Sequence, residues 1–178
     1  PEMRSTGEVM GIDLTPGLAF VKAQLSAGTP LPDSGTVFLS LADRDKALGI
    51  TAAAGFAELG FRLAATAGTA EALREAGLEV AVDVAKLGEA AGHDAVELIE
   101  AGQVQLVVNS PRGRGPRADG EHIRRAAGLA GVPLLTTGAA AVAAVNGLAD
   151  LSRHELAVRS QKEYHAGVDG SALTPTSP

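Results

Sequence analysis

Short apolar runs alternate with helix-length amphipathic stretches along most of this chain, and that rhythm predicts its elements. Runs that favour β structure occupy 36–40, 61–65, 79–84, 104–109 and 133–136. Between and after them lie stretches of helical length at 43–59, 70–76, 94–101, 120–130 and 139–149. Gly60, Gly77, Gly102 and Gly131 stand where four of these helices should end, the position that a left-handed glycine fills best. Runs such as Gln105-Leu-Val-Val-Asn109 are apolar at consecutive positions rather than alternating. That pattern belongs to a parallel sheet covered on both faces. Five β–α units in series, joined by right-handed crossovers, give an α/β fold, a three-layer α/β/α sandwich around a five-stranded parallel sheet.

The ends of the chain read differently. In residues 1–32, Thr15 is a natural N-cap, Pro16 suits the first helical position and Gly28 is a natural stop, so Leu18-Ala-Phe-Val-Lys-Ala-Gln-Leu25 is expected to be helical. Two prolines and two glycines between Gly28 and Gly35 mark a linker. Residues 33–150 form the β–α domain. Residues 151–178 turn polar, and their last part, rich in Pro, Ser and Thr, is expected to be disordered.

Composition narrows the function classes. Of the 178 residues, 46% are hydrophobic but only 3% aromatic, so Ala, Val, Leu and Gly must fill the core. The absence of cysteine removes disulfides, thiolate metal sites and thiol nucleophiles, and it suits a reducing cytoplasm. A net charge of −6 argues against general binding to nucleic acid or to anionic membranes. The longest apolar run, Gly138 to Leu151, is broken by Asn146, Gly147 and Asp150, and is shorter than the ~20 residues that span a bilayer.

Ligands of open parallel sheets bind beyond the carboxyl ends of the strands, so the residues that follow each strand carry the candidate chemistry. After the second strand, Thr66-Ala-Gly-Thr69 leads into a helix. Gly68 would let the backbone approach a ligand, with two threonine hydroxyls beside free helix amides that favour an anion. The simpler alternative is that Thr69 only caps the helix. After the first strand, Ser40-Leu-Ala-Asp-Arg-Asp-Lys46 places Asp43 as a cap and Lys46 in the first helical turn. Positive charge is misplaced there on dipole grounds unless an anion shares the site, although a lone lysine is usually just solvated. Lys86 follows the third strand. Asn109 ends the fourth, ahead of a Gly- and Pro-rich loop and Asp119, which can cap the next helix. Five arginines against Asp119 and Glu121 make 109–125 locally +3. Together these residues imply an anionic ligand, with phosphate as the leading group. The histidines share no metal-ligand spacing, and no catalytic constellation can be assembled.

Three segments carry a resemblance. Thr36-Val-Phe-Leu-Ser-Leu-Ala-Asp-Arg-Asp-Lys46, Gly60-Phe-Arg-Leu-Ala-Ala-Thr-Ala-Gly-Thr-Ala70 and Leu106-Val-Val-Asn109 resemble the methylglyoxal synthase-like domain family. Its members include the domain that closes the large chain of carbamoyl phosphate synthetases. The opening Pro1-Glu-Met-Arg-Ser-Thr-Gly-Glu-Val-Met-Gly-Ile-Asp13 is similar to the segment that leaves the second ATP-grasp module of those enzymes, and Val158-Arg-Ser-Gln-Lys-Glu-Tyr-His165 to their closing segment. On that likeness the sequence is expected to be a C-terminal piece.

The resemblance implies a regulatory domain that binds a nucleotide effector, UMP or IMP. Carried over by motif, Ser40, Lys46, Thr66, Gly68, Thr69, Lys86, Asn109 and Asp119 would line the pocket, with the lysines and threonines on the phosphate. The intact enzyme would use ATP with Mg or Mn, pair with a glutaminase small chain and form homo-oligomer contacts. The piece alone would need no cofactor and catalyse nothing. Pro111 stands where some members have threonine. Leu135 stands where ornithine-responsive members have aspartate, and a leucine cannot pair with an ammonium group. Two rival readings are a true methylglyoxal synthase, which eliminates phosphate from dihydroxyacetone phosphate, and a purely structural module for subunit contacts.

Overall fold

The apolar runs become the strands of one sheet in the computed structural model, which describes residues 7–85, 92–110, 118–154 and 156–167. The strands are β1 (Thr36–Ser40), β2 (Arg62–Thr66), β3 (Val82–Val84), β4 (Leu106–Asn109) and β5 (Leu134–Leu135). All pair in parallel, in the order β3-β2-β1-β4-β5. The sheet sends alternate side chains of β1 to opposite faces. Val37 and Leu39 join one core with Phe56, Leu63, Leu73 and Leu106, while Phe38 joins a second core with Leu98, Ile99, Val107 and Ile123. These are the two covered faces that consecutive apolar positions require.

The helices are α1 (Pro16–Ser26), α2 (Lys46–Glu58), α3 (Ala67–Glu75), α4 (Ala95–Glu100), α5 (Ala118–Ala130), α6 (Gly138–Leu151) and α7 (Gln161–Gly167). Residues of α2, α3 and α6 build the first core, and residues of α4 and α5 the second. The architecture is therefore the three-layer sandwich expected from the sequence. Gly60, Gly77, Gly102 and Gly131 all take positive φ, between 67° and 88°, where the helices end.

Several boundaries differ from the sequence pattern, and three of the differences have a clear physical reason. β3 and β5 are shorter than their apolar runs, because an edge strand has one neighbour and pairing sets its length more than residue preference does. A 3-10 turn over Asp43–Asp45 precedes α2, so Asp43 does not cap that helix as expected. The third difference bears on the site. Thr66 already has the extended backbone of a cap position, and α3 starts at Ala67, three residues before the expected start. Thr69 is thus inside the first turn and is not an N-cap.

The first helix forms as its cap signals predict. Thr15 Oγ1 accepts the N–H of Leu18 at 3.1 Å, Pro16 opens α1, and Gly28 follows its end with φ +76°. α1 does not stand apart from the β–α domain. It crosses α6 at a pair of glycines so close that a Cβ on Gly147 would lie 2.5 Å from the Gly17 carbonyl oxygen. Thr15 donates its hydroxyl proton to Asp150 Oδ2 at 2.5 Å in the same contact. Small residues let helices pack closely, and that is how an aromatic-poor chain fills its interior. The polar end that was expected to be disordered, beyond residue 167, lies outside the described residues.

Candidate functional site

The strand order reverses between β1 and β4, since successive strands run outward from β1 on one side and from β4 on the other. Such a switch point opens a crevice at the carboxyl ends of the strands. Ser40 and Asn109 are the paired residues at its two lips.

Several hydrogen bonds tie the strand tips together. The N–H of Ser110 donates to the Ser40 carbonyl at 2.9 Å. The N–H of Ala42 donates to Ser110 Oγ at 2.7 Å, and the N–H of Leu41 to Thr69 Oγ1 at 3.0 Å. Thr66 donates its hydroxyl proton to Thr69 Oγ1 at 3.3 Å. Thr69 is fully buried, so its oxygen gathers one donor from the residue after β1 and one from the end of β2, and positions the loop rather than lying open at its surface. Gly68 and Thr66 remain half-buried at the start of α3. The α3 amides there have no intrahelical acceptor, as at any helix start.

Lys46 is the first residue of α2 and is partly buried. Its Nζ lies 3.0 Å from Oδ1 of the exposed Asp43. The misplaced cation therefore has a partner on the preceding turn. That partner is mostly in solvent, so the pairing is weak and leaves the ammonium group able to meet a stronger anion. Asp45, in the same turn, accepts the N–H of Gly138 at 3.3 Å and so holds the start of α6 against the site.

Asn109 is the unusual member. Its side chain is 5% exposed, and Nδ2 has no hydrogen-bond partner among the described residues. The amide lies next to Gly120 in the first turn of α5, 3.6 Å from where a Cβ on that glycine would be. A Cβ there would also come within 3.8 Å of a guanidinium nitrogen of Arg124. Buried amides nearly always find a partner, so an orphan donor at a crevice is the local sign of a missing acceptor.

Of the residues expected at the site, the structure brings Ser40, Lys46, Thr66, Gly68, Thr69 and Asn109 to the carboxyl edge of the sheet. Lys86 and the Asp119 side chain lie outside the described residues, as do Arg112, Arg114 and Arg117. Sequence reasoning missed Ser110 and Asp45 as parts of this edge. Ser110 directly follows a tip residue and could have been flagged, whereas Asp45 gave no signal of its bond to Gly138. Among the described residues no cluster of His, Cys, Asp or Glu is arranged to hold a metal ion.

Known proteins place the fold in a family. Residues 49–136 match the model of the MGS-like domain. The chain carries an MGS-like domain. Beyond that match, it aligns along most of its length with carbamoyl phosphate synthase large chains. It is 55% identical over 148 residues to the large chain of Rubrobacter xylanophilus, covering 83% of this chain and 14% of that one. The large chain of Acidobacterium capsulatum is 47% identical over 94% of this chain and 15% of its own length. That of Mycobacterium tuberculosis is also 47% identical, over 96% of this chain and 16% of its own length. The chain thus spans about one-seventh of the length of the relatives it matches. Among the described residues no helix is long and apolar enough to cross a membrane.

Proposed function

We propose that this chain is the regulatory domain of a glutamine-hydrolysing carbamoyl phosphate synthase large chain and that its strand-tip crevice binds a nucleoside monophosphate, UMP or IMP. The observation that carries this reading is the buried Asn109 amide, unpartnered on Nδ2 at the β1–β4 switch point. Lys46, Thr66 and the amides of α3 at Gly68 would hold the phosphate. Asn109 would donate to the ribose or to the phosphate-loop frame, and Thr69 would keep the loop in place. Lys86 and Asp119 belong to the same proposal through the family motif.

In the intact enzyme the effector would control synthesis of carbamoyl phosphate from glutamine, bicarbonate and ATP, for pyrimidine and arginine formation in the cytoplasm. ATP and its Mg or Mn would be held by the ATP-grasp modules, glutamine would be hydrolysed on a small chain, and large chains would meet in homo-oligomers. The 178 residues alone would then bind nucleotide without catalysis. Control at a distance requires only that the effector bind one state of the enzyme better than another.

Calorimetric titration with UMP and with IMP tests the proposal. Heat is expected from at least one nucleotide, and Lys46→Ala should weaken it about tenfold, the loss of one charge-assisted hydrogen bond. No heat from either at millimolar concentration would overturn the effector. Methylglyoxal formed from dihydroxyacetone phosphate would replace it with a lyase.

A further inference from the structure

The tip of β4 and the helix that follows it converge on one unfilled point. Gly120 lies in the first turn of α5, and a Cβ on it would be 3.6 Å from Asn109 Nδ2 and 3.8 Å from a guanidinium nitrogen of Arg124. No other atom of the described residues comes within 4 Å of that point, chain neighbours and the helix's own backbone aside. Gly120 does not take positive φ, so no turn requires a glycine here. Within a helix glycine is a poor choice for stability, and what it provides at this position is room. Ile123, Ala126 and Ala127 bury the adjoining face of α5 in the second core and fix the helix against the sheet.

Three kinds of donor face that room. The buried Asn109 Nδ2 is unpartnered among the described residues. Arg124 follows Gly120 by four positions, on the same face of α5, and helical side chains lean toward the N-terminus, so its guanidinium reaches back over the glycine. It is exposed and has no carboxylate partner among the described residues. The first amides of α5 have no intrahelical acceptor, and the helix dipole there favours negative charge. A planar guanidinium beside an orphan amide and free backbone N–H groups suits an oxyanion, and phosphate above all.

This place is separate from the α3 side of the crevice. Leu39 pairs with Ala65 and Ser40 with Asn109, so the tips of β2 and β4 stand on opposite sides of β1. Two strand spacings put them about 9–10 Å apart. A phosphate held by Lys46, Thr66 and the amides at Gly68 therefore leaves the α5 side to another group of the ligand. We propose that the start of α5 is a second anion pole of the crevice, with Asn109 and Arg124 as its contacts, and that it takes a phosphate carried on a ribose hydroxyl. The ligand class it selects is a nucleoside 3′,5′-bisphosphate. The proposal rests on the reading above that the crevice holds a nucleotide by its 5′-phosphate, and it deepens that reading by assigning the far end. Arg124 enters as a binding residue that lies beyond the strand tips and outside the family motif.

Heteronuclear NMR of the 178-residue chain reads the two poles apart, through the Asn109 side-chain amide and Arg124 Nε–H on one side and the Gly68 amide on the other. With inorganic phosphate as the probe, the Asn109 and Arg124 signals should move, and they should still move when the protein is already saturated with UMP or IMP. Calorimetry should find the 3′,5′-bisphosphate of uridine or inosine bound at least about tenfold more tightly than the matching monophosphate, the gain of charge-assisted bonds. Arg124→Gln should erase that difference. Gly120→Ala gives a second variant whose fold is not at stake, because its Cβ makes only ordinary contacts. It should melt at or above wild type and still lose the bisphosphate advantage, since the methyl group fills the room. Equal affinity for monophosphate and bisphosphate overturns the second pole, as does an Arg124→Gln variant that weakens both alike. Movement at Gly68 alone also overturns it and leaves the nucleotide reading standing. Movement at Asn109 and Arg124 without Gly68 keeps the pole and retires the α3 cradle. No movement at either overturns both.

Discussion

Asn109 and Thr69 sit at the same sheet edge, and both are almost fully buried, yet they should respond to substitution in opposite ways. Thr69 Oγ1 satisfies the Leu41 N–H and the Thr66 hydroxyl. Thr69→Val keeps the shape but leaves a buried N–H without an acceptor, at a cost of about 1–3 kcal/mol. Thermal unfolding should show that loss, and Thr69→Ser should recover most of it. Asn109 Nδ2, by contrast, has no partner among the described residues. Asn109→Leu replaces an unsatisfied donor by an apolar group of similar size, which is neutral or stabilising when no bond is lost. The melting temperature should hold or rise while nucleotide affinity falls about tenfold, or ~1.4 kcal/mol. A large drop in stability would instead make the amide a structural member of the edge.

Element packing turns on glycines of two kinds. At Gly147 a Cβ would meet the Gly17 carbonyl oxygen at 2.5 Å and Val21 Cγ2 at 2.4 Å, so Gly147→Ala must push α1 away from α6. Overpacking of this sort costs about 1–3 kcal/mol. At Gly128, in α5, a Cβ would meet nothing within 4 Å and φ is not positive. Gly128→Ala should therefore stabilise by about 0.5–1 kcal/mol through helix propensity alone. Denaturant unfolding of the two variants checks the pair, and loss of stability in both would show that the α1–α6 contact is not special.

The short α7 depends on a charge at its start. The hydroxyl and then the N–H of Ser160 donate to Glu163 Oε2, at 2.7 and 2.6 Å, and hold that carboxyl below its ordinary value. A depressed carboxyl contributes stability above its unfolded value of 4.5 and loses it as pH falls through the lower folded value. In acid, α7 should loosen and the fluorescence of Tyr164, the chain's one tyrosine, should change. Glu163→Gln should remove most of that change.

What could be read from the sequence at this scale was what neighbours decide. The run 36–40 became β1 without change, Thr15 and Pro16 opened α1, and the helix-ending glycines took positive φ. What could not be read depends on partners far along the chain. Ser110 bonds Ala42 across 68 positions, and Asp45 bonds Gly138 across 93. The early start of α3 belongs to the same class, since Thr69 can enter the first turn because Leu41 offers its oxygen a donor. Asn109 was legible as a tip residue by its place after an apolar run. Its missing partner became visible only with the fold.

At the scale of the molecule, α6 reaches from the crevice to α1. Its first amide, on Gly138, donates to Asp45, one residue ahead of Lys46. Nine to twelve residues later it meets α1, where Gly147 packs on Gly17 and Asp150 accepts from Thr15. At 1.5 Å per residue that is a rod of about 14–18 Å between the crevice and α1. A nucleotide that draws Lys46 toward its phosphate must strengthen or strain the turn that holds the start of α6. Amide exchange should then slow at Gly138 and also at Leu18 to Val21 on α1 when UMP or IMP is bound. Slowing confined to the crevice would mean that α6 transmits nothing. Coupling is reciprocal, so a change at the far end must return to the crevice by the same factor. Gly147→Ala, which loosens α1 from α6 without touching any crevice residue, should therefore shift nucleotide affinity. An affinity equal to wild type in that variant, with the fold intact, would confine regulation to the crevice itself.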